Sequence, residues 1–444
     1  MTEFKKHCLI KKHLSLLTLS NRISIRMTET AIASYPCGAF RAWSTVFGSA
    51  LFIFCELGTL QSFGVYQDYY SREWLSNYTA SDISWIGGIQ AFFELALGIL
   101  GGKLFEAGYC RPMLIFASVL FSFSYFMLSL AKQGQYYQVF LSHGLGVGIA
   151  MGLFFVPGCT LSLRHFRSEA KQALAVGIVF AGGSLGAVIY AIMLNYLLNS
   201  GIGFAWSVRV TALLSTVCLL IANLMITVPP RANPSPSGQT PSQKSLLHLP
   251  YILICMSGFF AILGCYFPFF LVQVFAIKHG ISGKLVFYSL AIINISSVFS
   301  RIVVNSCVKK IGVFKPSIIS CALNGCATFG MLACYTPTGL VLFSICYGAC
   351  YGSTFSLYGP LVVQVAPSED TGKVLGYAWT PSAIAAVIGP SVGAALVGKD
   401  YIWWRGVVFA ALCFFVATIL QLVAREIHIR HLKRRERESW PEKS

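Results

Sequence analysis

The chain has 444 residues, of which 56% are hydrophobic and only 11% are charged, against the roughly 25% charged residues of a soluble domain. So few charges cannot clothe a water-facing surface, and a mean hydropathy of +0.68 excludes an ordinary soluble enzyme. The formal net charge of +17 does not signal nucleic acid: the basic residues lie in tails and short loops between apolar runs, as at a cytoplasmic membrane face.

Residues 1–42 read as a cytoplasmic N-terminal tail carrying Lys5, Lys6, Lys11, Lys12, Arg22 and Arg26. The tail's longest apolar run, residues 14–19, is broken by Ser and Thr, so no cleavable signal peptide is expected. From residue 43 onward the chain holds about twelve apolar runs near the ~20 residues needed to cross hydrocarbon. They fall near 43–67, 82–102, 112–131, 136–162, 172–197 and 206–228, then 250–274, 285–307, 316–336, 338–363, 373–397 and 403–424. Between the sixth and seventh runs lies PPRANPSPSGQTPSQKSLLHLP, too polar to bury a core, so residues 229–249 read as a flexible cytoplasmic linker. The predicted fold is therefore an all-α membrane protein of twelve transmembrane helices in two six-helix bundles, 43–228 and 250–424. Residues 425–444 form a basic cytoplasmic tail. Paired six-helix halves are the architecture of transporters built from repeats.

With both tails inside, most of the 33 Lys and Arg residues fall on the cytoplasmic side, which fixes the expected orientation. The sequon Asn77-Tyr78-Thr79 then lies in the first outer loop, making Asn77 a candidate glycosylation site. Glycines crowd spans two to five, among them Gly87, Gly88, Gly98, Gly101, Gly102, Gly177 and Gly186. In lipid they serve close helix packing, static or sliding.

Ionisable residues inside spans cost at least about 2.5–3.5 kcal/mol each at a helix centre and need a reason. Arg301 in span eight is either a snorkelling interfacial arginine or a cavity guanidinium that pairs with an anionic substrate. Glu56 and Glu94 lie mid-span in helices one and two. Each is either a structural glutamate or a proton carrier, and Glu56 could balance Arg301 if helices one and eight line one cavity. Gln61, Asn195, Gln273 and Asn294 are interhelical hydrogen-bonders or ligand contacts. His143 reads as interfacial. Tyr351, Tyr358, Tyr377 and Trp379 lie deeper and either shape a pocket or fill the core. The cysteines within apolar runs, such as Cys255, Cys265, Cys321, Cys326, Cys346 and Cys350, read as small buried hydrophobes. The sequence holds no P-loop, HExxH or GxSxG in the required context. No enzyme, cofactor or metal is expected, and uphill transport must draw on an ion or substrate gradient.

Several motifs together resemble the monocarboxylate transporter family of the major facilitator superfamily, in its fungal branch. They are GAFRAW at 38–43, QSFGVYQDYY at 61–70, GKLFEAGYCRP at 102–112, the Gly-rich GVGIAMGLFFVPG and ALAVGIVFAGGSLGAVIY, and LGYAWTPSAIAAVIGPSVGAAL in span eleven. The resemblance covers roughly residues 36–425. It implies alternating access with both tails inside, and it matches Arg301 to the span-eight arginine that engages substrate carboxylate. The chain departs from the family pattern at Cys37, where that motif has Asp, and at Glu106, which keeps the charge. It departs again at Gln61, the place of a lysine in animal members, and at Ser297, the place of an Asp one turn before the arginine. These departures speak against the proton-linked lactate mechanism, and Glu56 and Glu94, unusual for the family, are candidates for the missing carboxylate.

The expected protein is a multi-pass plasma-membrane transporter, with a vacuolar or other internal membrane as the alternative. It moves a small monocarboxylate-like anion by secondary active or facilitative alternating access, with Arg301, Gln61, Asn294 and Tyr377 as substrate-binding residues. Its partners would be the small-molecule substrate, the lipid bilayer and protons as the candidate coupling ion, with no nucleic acid. The alternative is an efflux carrier of a secondary metabolite or a vitamin transporter.

Overall fold

The computed structural model describes residues 39–166, 168–228, 248–281, 283–366, 370–398 and 400–439. The predicted tail as far as residue 38, the linker except for its last two residues, and the chain after residue 439 lie outside these.

The apolar runs form helices because a backbone in hydrocarbon must satisfy its own polar groups. The helices are α1 (Ala39–Tyr69), α2 (Ala80–Ala96, continued by Gly98–Leu104), α3 (Cys110–Leu128) and α4 (Tyr136–Arg164). They continue with α5 (Glu169–Asn199), α6 (Phe204–Met225), α7 (Leu249–Lys278) and α8 (Gly283–Ile311). The last four are α9 (Phe314–Phe329), α10 (Pro337–Val365), α11 (Thr371–Trp379, continued by Ser382–Val397) and α12 (Trp403–Ser439). Local chemistry sets several ends. Thr79 and Asp82 form a reciprocal capping box before α2. Thr336 accepts from the Gly339 N–H at 3.0 Å with Pro337 in the first turn of α10.

Among the described residues, eleven continuous stretches are long and apolar enough to cross a membrane. One of them, Asp82–Leu128, has 47 residues. Straight, it would run about 70 Å, more than twice the hydrocarbon thickness. Gly108, at φ 92, breaks it between α2 and α3, so it makes two crossings and the predicted twelve are present. The basic tail does not end the last helix, because α12 runs on to Ser439.

The packing repeats. In the first six helices α1 lies against α5 and α6, α4 against α2 and α3, and α3 against α6. Six places later α7 lies against α11 and α12, α10 against α8 and α9, and α9 against α12. The two sets meet chiefly where α5 crosses α8 and where α2 crosses α11. Large apolar side chains cover the outside, among them Phe116 and Val119 on α3, Leu220 and Leu224 on α6, and Phe299 and Val303 on α8. In water this surface would aggregate, whereas in lipid it is the solvated face. Cys326 and Cys346 are on that exposed face, not buried as expected, because their helices α9 and α10 turn those positions outward.

The crossings are tight toward the end that carries the Lys- and Arg-rich loops. There α2 and α11 touch backbone to backbone, Gly98 on Gly376 and Gly102 on Gly372, and a Cβ on any of the four would meet its neighbours. Thr380 donates to the Leu95 carbonyl at 3.2 Å. Two carboxylates anchor the same end. Glu106, in the α2–α3 turn, accepts from the Gly372 N–H at 2.7 Å and pairs with Arg164. Glu169, at the start of α5, accepts from the Val313 N–H at 3.0 Å. Each carboxylate satisfies an otherwise open N–H at a helix N-terminus.

Gly376→Val is expected to destabilise the purified protein by about 1–3 kcal/mol through overpacking. Gly88→Ala, where a Cβ meets nothing within 4 Å, should leave the melting temperature unchanged. Equal melting of both variants would mean that α2 and α11 are not in this contact.

Candidate functional site

Arg301 decides the chemistry at the centre. It sits on α8 with 1% of its surface exposed, which rules out a snorkelling interfacial role. Its Nε donates to the Ser297 hydroxyl, one turn back, at 2.9 Å. Ser297 in turn shares a hydrogen bond with Ser184 of α5 at 2.9 Å. The guanidinium lies 5.3 Å from the Phe180 ring centre and 5.7 Å from that of Tyr351, both cation–π distances. Nη1 has no hydrogen-bond partner. No carboxylate pairs with Arg301 among the described residues, so Glu56 does not balance it as the sequence suggested. Ser297 supplies the hydrogen bond that an Asp at that position would give, but not the charge.

Tyr351 joins this cation to the other candidates. Gln61 of α1 donates to the Tyr351 hydroxyl at 3.4 Å, across the divide between the two sets of helices. Tyr351 is close enough to both Arg301 and Glu94 to feel their charges. The carboxyls of Glu56 and Glu94 face one another, and neither Glu56 oxygen has a hydrogen-bond partner. Tyr266 of α7 faces both glutamates. The sequence-predicted residues Arg301, Gln61, Glu56 and Glu94 therefore form one buried cluster, drawn from α1, α2 and α8 and joined by tyrosines of α7 and α10.

The other two predicted binding residues have different partners. Asn294 is buried on α8 but donates to the Leu290 carbonyl of its own helix at 3.0 Å, while its Oδ1 has no partner. Tyr377 is half-buried near Tyr251, at the basic end of α11. Neither hydrogen-bonds Arg301 among the described residues. Below the cluster, Trp379 meets Phe155 at 5.3 Å and Tyr358 at 4.5 Å, and Phe155 meets Phe180 at 6.2 Å. These rings pack α4, α5, α10 and α11 against one another. Asn77 is exposed at the opposite end.

Sequence reasoning missed Tyr266, Phe180 and Ser184, each an unremarkable residue of an apolar helix until its neighbour is known. It also misplaced His143. That residue is fully buried, not interfacial, because the π-helical turn Phe140–Gly146 rotates it inward against Tyr66 and Tyr70.

Residues 39–390 match the family model described as Major Facilitator Superfamily. The aspyridones efflux protein apdF of Emericella nidulans is 32% identical over 396 residues, covering 88% of this chain and 79% of that protein. The agnestins efflux protein AgnL12 of Paecilomyces divaricatus is 32% identical over 410 residues, covering 90% and 92%. Among solved structures, the E. coli fucose:proton symporter superposes with a TM-score of 0.68 at 13% identity, over 87% of this chain and 99% of that one. A bacterial homologue of the iron transporter ferroportin, in an outward-facing state, superposes with a TM-score of 0.66 at 11% identity, over 87% and 99%. With its helices, their repeat and the match over most of its length, this chain belongs to the major facilitator superfamily.

Proposed function

We propose that this transporter exports an acidic secondary metabolite across the plasma membrane in exchange for protons. The observation that carries the reading is Arg301, a buried guanidinium with no carboxylate partner among the described residues and a free Nη1, placed where the two sets of helices meet. Such a cation is costly in hydrocarbon unless an anion completes it. A carboxylate or enolate of the cargo fits the planar fork. Gln61 and Tyr351 are placed to contact the rest of the cargo. The efflux direction is drawn from the relatives named as efflux proteins. The monocarboxylate-like resemblance supports the acidic group but leaves the cargo's size open, so a small monocarboxylate is the second reading.

In this reading the basic end faces the cytoplasm, and the contacts of α2 with α11 and of α5 with α8 hold that side shut. Glu106, Glu169 and the Trp379–Phe155 contact break when the halves rock to admit cargo. Adjacent buried carboxyls without a neighbouring cation carry a proton between them, and Glu56 with Glu94 is the proposed coupling pair. Asn77, on the outer side, is the proposed glycosylation site.

Transport of labelled organic acids of graded size into inside-out vesicles tests the cargo site. Arg301→Lys is expected to lower transport of the acids about ten- to hundredfold by losing bidentate contact, and full activity in that variant would refute the site. Transport confined to the smallest acids would favour the second reading. In the same vesicles, the Glu56→Gln and Glu94→Gln double variant should lose its dependence on an imposed pH gradient while still exchanging cargo for cargo; retained dependence sinks the coupling role. Asn77→Gln should remove the mobility shift that a deglycosylating enzyme causes in the protein expressed in a eukaryotic host, and an unchanged shift means the sugar is elsewhere or absent.

A further inference from the structure

The end opposite the basic loops holds a second buried polar cluster that the cargo site does not use. Its centre is His143, with 0% of its surface exposed. Two π-helical turns, Tyr70–Trp74 and Phe140–Gly146, meet there. Such turns are uncommon and concentrate at functional sites. The bond joining them is Tyr70 Oη to His143 Nδ1, at 3.1 Å. His143 Nε2 has no hydrogen-bond partner, nor has the Tyr66 hydroxyl, whose ring stands edge-on to the imidazole at 4.5 Å. Buried polar atoms left without partners need an explanation in a native fold.

The groups facing His143 are countable. From α1 come the Phe63 ring, 5.7 Å away, and the phenol of Tyr66, from the π-turn after it that of Tyr70, and from α3 that of Tyr125, whose ring centre is 5.8 Å away. From α2, Gln90 donates to the His143 carbonyl at 2.5 Å, and Ile86 and Ile89 pack on Gly144. No charged side chain contacts the ring among the described residues. Tyr125 continues inward, its hydroxyl donating to Thr59 Oγ1 at 3.0 Å. Thr59 lies one helical turn from Glu56, which faces Glu94. Tyr70, Tyr125, Thr59 and Glu56 are all fully buried. Just beyond Tyr70 the chain emerges as exposed Ser71, Arg72 and Glu73.

We infer that His143 is the relay of a proton path running from the loop after Tyr70, through Tyr125 and Thr59, to the Glu56–Glu94 pair. The inference rests on the coupling role proposed above for that pair. In the tautomer with Nδ1 bare, the Tyr70 hydroxyl donates to Nδ1 and Nε2 carries the ring hydrogen. A proton arriving from water at the loop binds the Tyr70 oxygen as that hydroxyl's own proton passes to Nδ1. The imidazolium then releases its Nε2 proton inward, through water, to the Tyr125–Thr59 pair and on to the carboxyls. The ring resets by turning over. Only O–H and N–H bonds form and break, and one proton enters for each delivered. His143 is thus a positioning and transfer group for the coupling ion and takes no part in holding cargo. An efflux exchanger needs this direction of access, because its driving protons come from the side to which the cargo leaves.

The test needs no cargo. The full-length protein in nanodiscs is subjected to a stopped-flow acid jump, and the infrared carbonyl band of protonated carboxyls is followed in time. His143→Gln keeps a side chain able to hydrogen-bond Tyr70, and Tyr70→Phe removes a single oxygen, so the second serves if the first fails to fold. The path requires both to slow the rise of the Glu56/Glu94 band by about a hundredfold. Final amplitude and melting temperature should remain those of the wild type, which a purely structural role would not give. Wild-type rates in both variants overturn the relay and leave the coupling pair standing. A band that is missing from the wild type, or that persists in the Glu56→Gln and Glu94→Gln double variant, overturns the coupling reading and the relay with it.

Discussion

A guanidinium shielded from water constrains everything near it. Removing Arg301 from solvent costs several kcal/mol, and the fold offsets this with partners from three helices. Ser297 takes Nε, while Phe180 and Tyr351 offer their ring faces. That arrangement requires α5 and α8 to cross closely, which Gly177 permits: a Cβ there would stand 2.9 Å from the Arg301 carbonyl oxygen. Ser184 then reaches Ser297, and the charged residue becomes the point at which the two repeated halves hold one another. A cation so placed, with one nitrogen still unsatisfied, gives an anionic cargo a reason to bind at the interface and not on either half alone.

The interface itself is built to part. Besides the Trp379–Phe155 and Arg301–Phe180 contacts, it is made of glycine-to-glycine backbone crossings, single hydroxyl bonds and carboxylates resting on helix N-termini. Interdigitated large side chains would resist separation, whereas smooth backbone surfaces separate as rigid bodies. Glu106 and Glu169 do the same job on the two related crossings, from opposite partners. In the first the carboxylate comes from a turn and the N–H from a helix start; in the second the roles are exchanged. Such contacts have two discrete arrangements, made or broken, which is the requirement for a switch between access states.

The proposed cargo and ion sites share one set of buried neighbours. The Tyr351 ring lies against Arg301, and its phenol is within electrostatic reach of Glu94. Coupling between sites is reciprocal by thermodynamic necessity. Under the proposed function, cargo that neutralises Arg301 would alter the hold on the carboxyl proton, and the proton the hold on cargo. In the proposed exchange both sites must belong to the moving interface, and the Gln61–Tyr351 bond between α1 and α10 crosses it.

Much of this was legible in the residues. Twelve apolar runs were enough to give a membrane fold, because hydrocarbon tolerates only closed backbone hydrogen bonding. Arg301, Glu56 and Glu94 stood out because charge in an apolar run is costly wherever it points. What the residues could not give was company. Glu56 faces Glu94 and not Arg301, Asn294 bonds its own helix, and Tyr266, Phe180 and Ser184 were invisible. His143 was misread because a π-turn shifts the helical register by a fraction of a turn, and no composition rule reports that shift. Hydropathy and charge are properties of each residue and its immediate stretch of chain, so the sequence by itself determined the spans. Partnership between side chains depends on the rotation and crossing of helices far apart in the chain, and only the tertiary structure decided it.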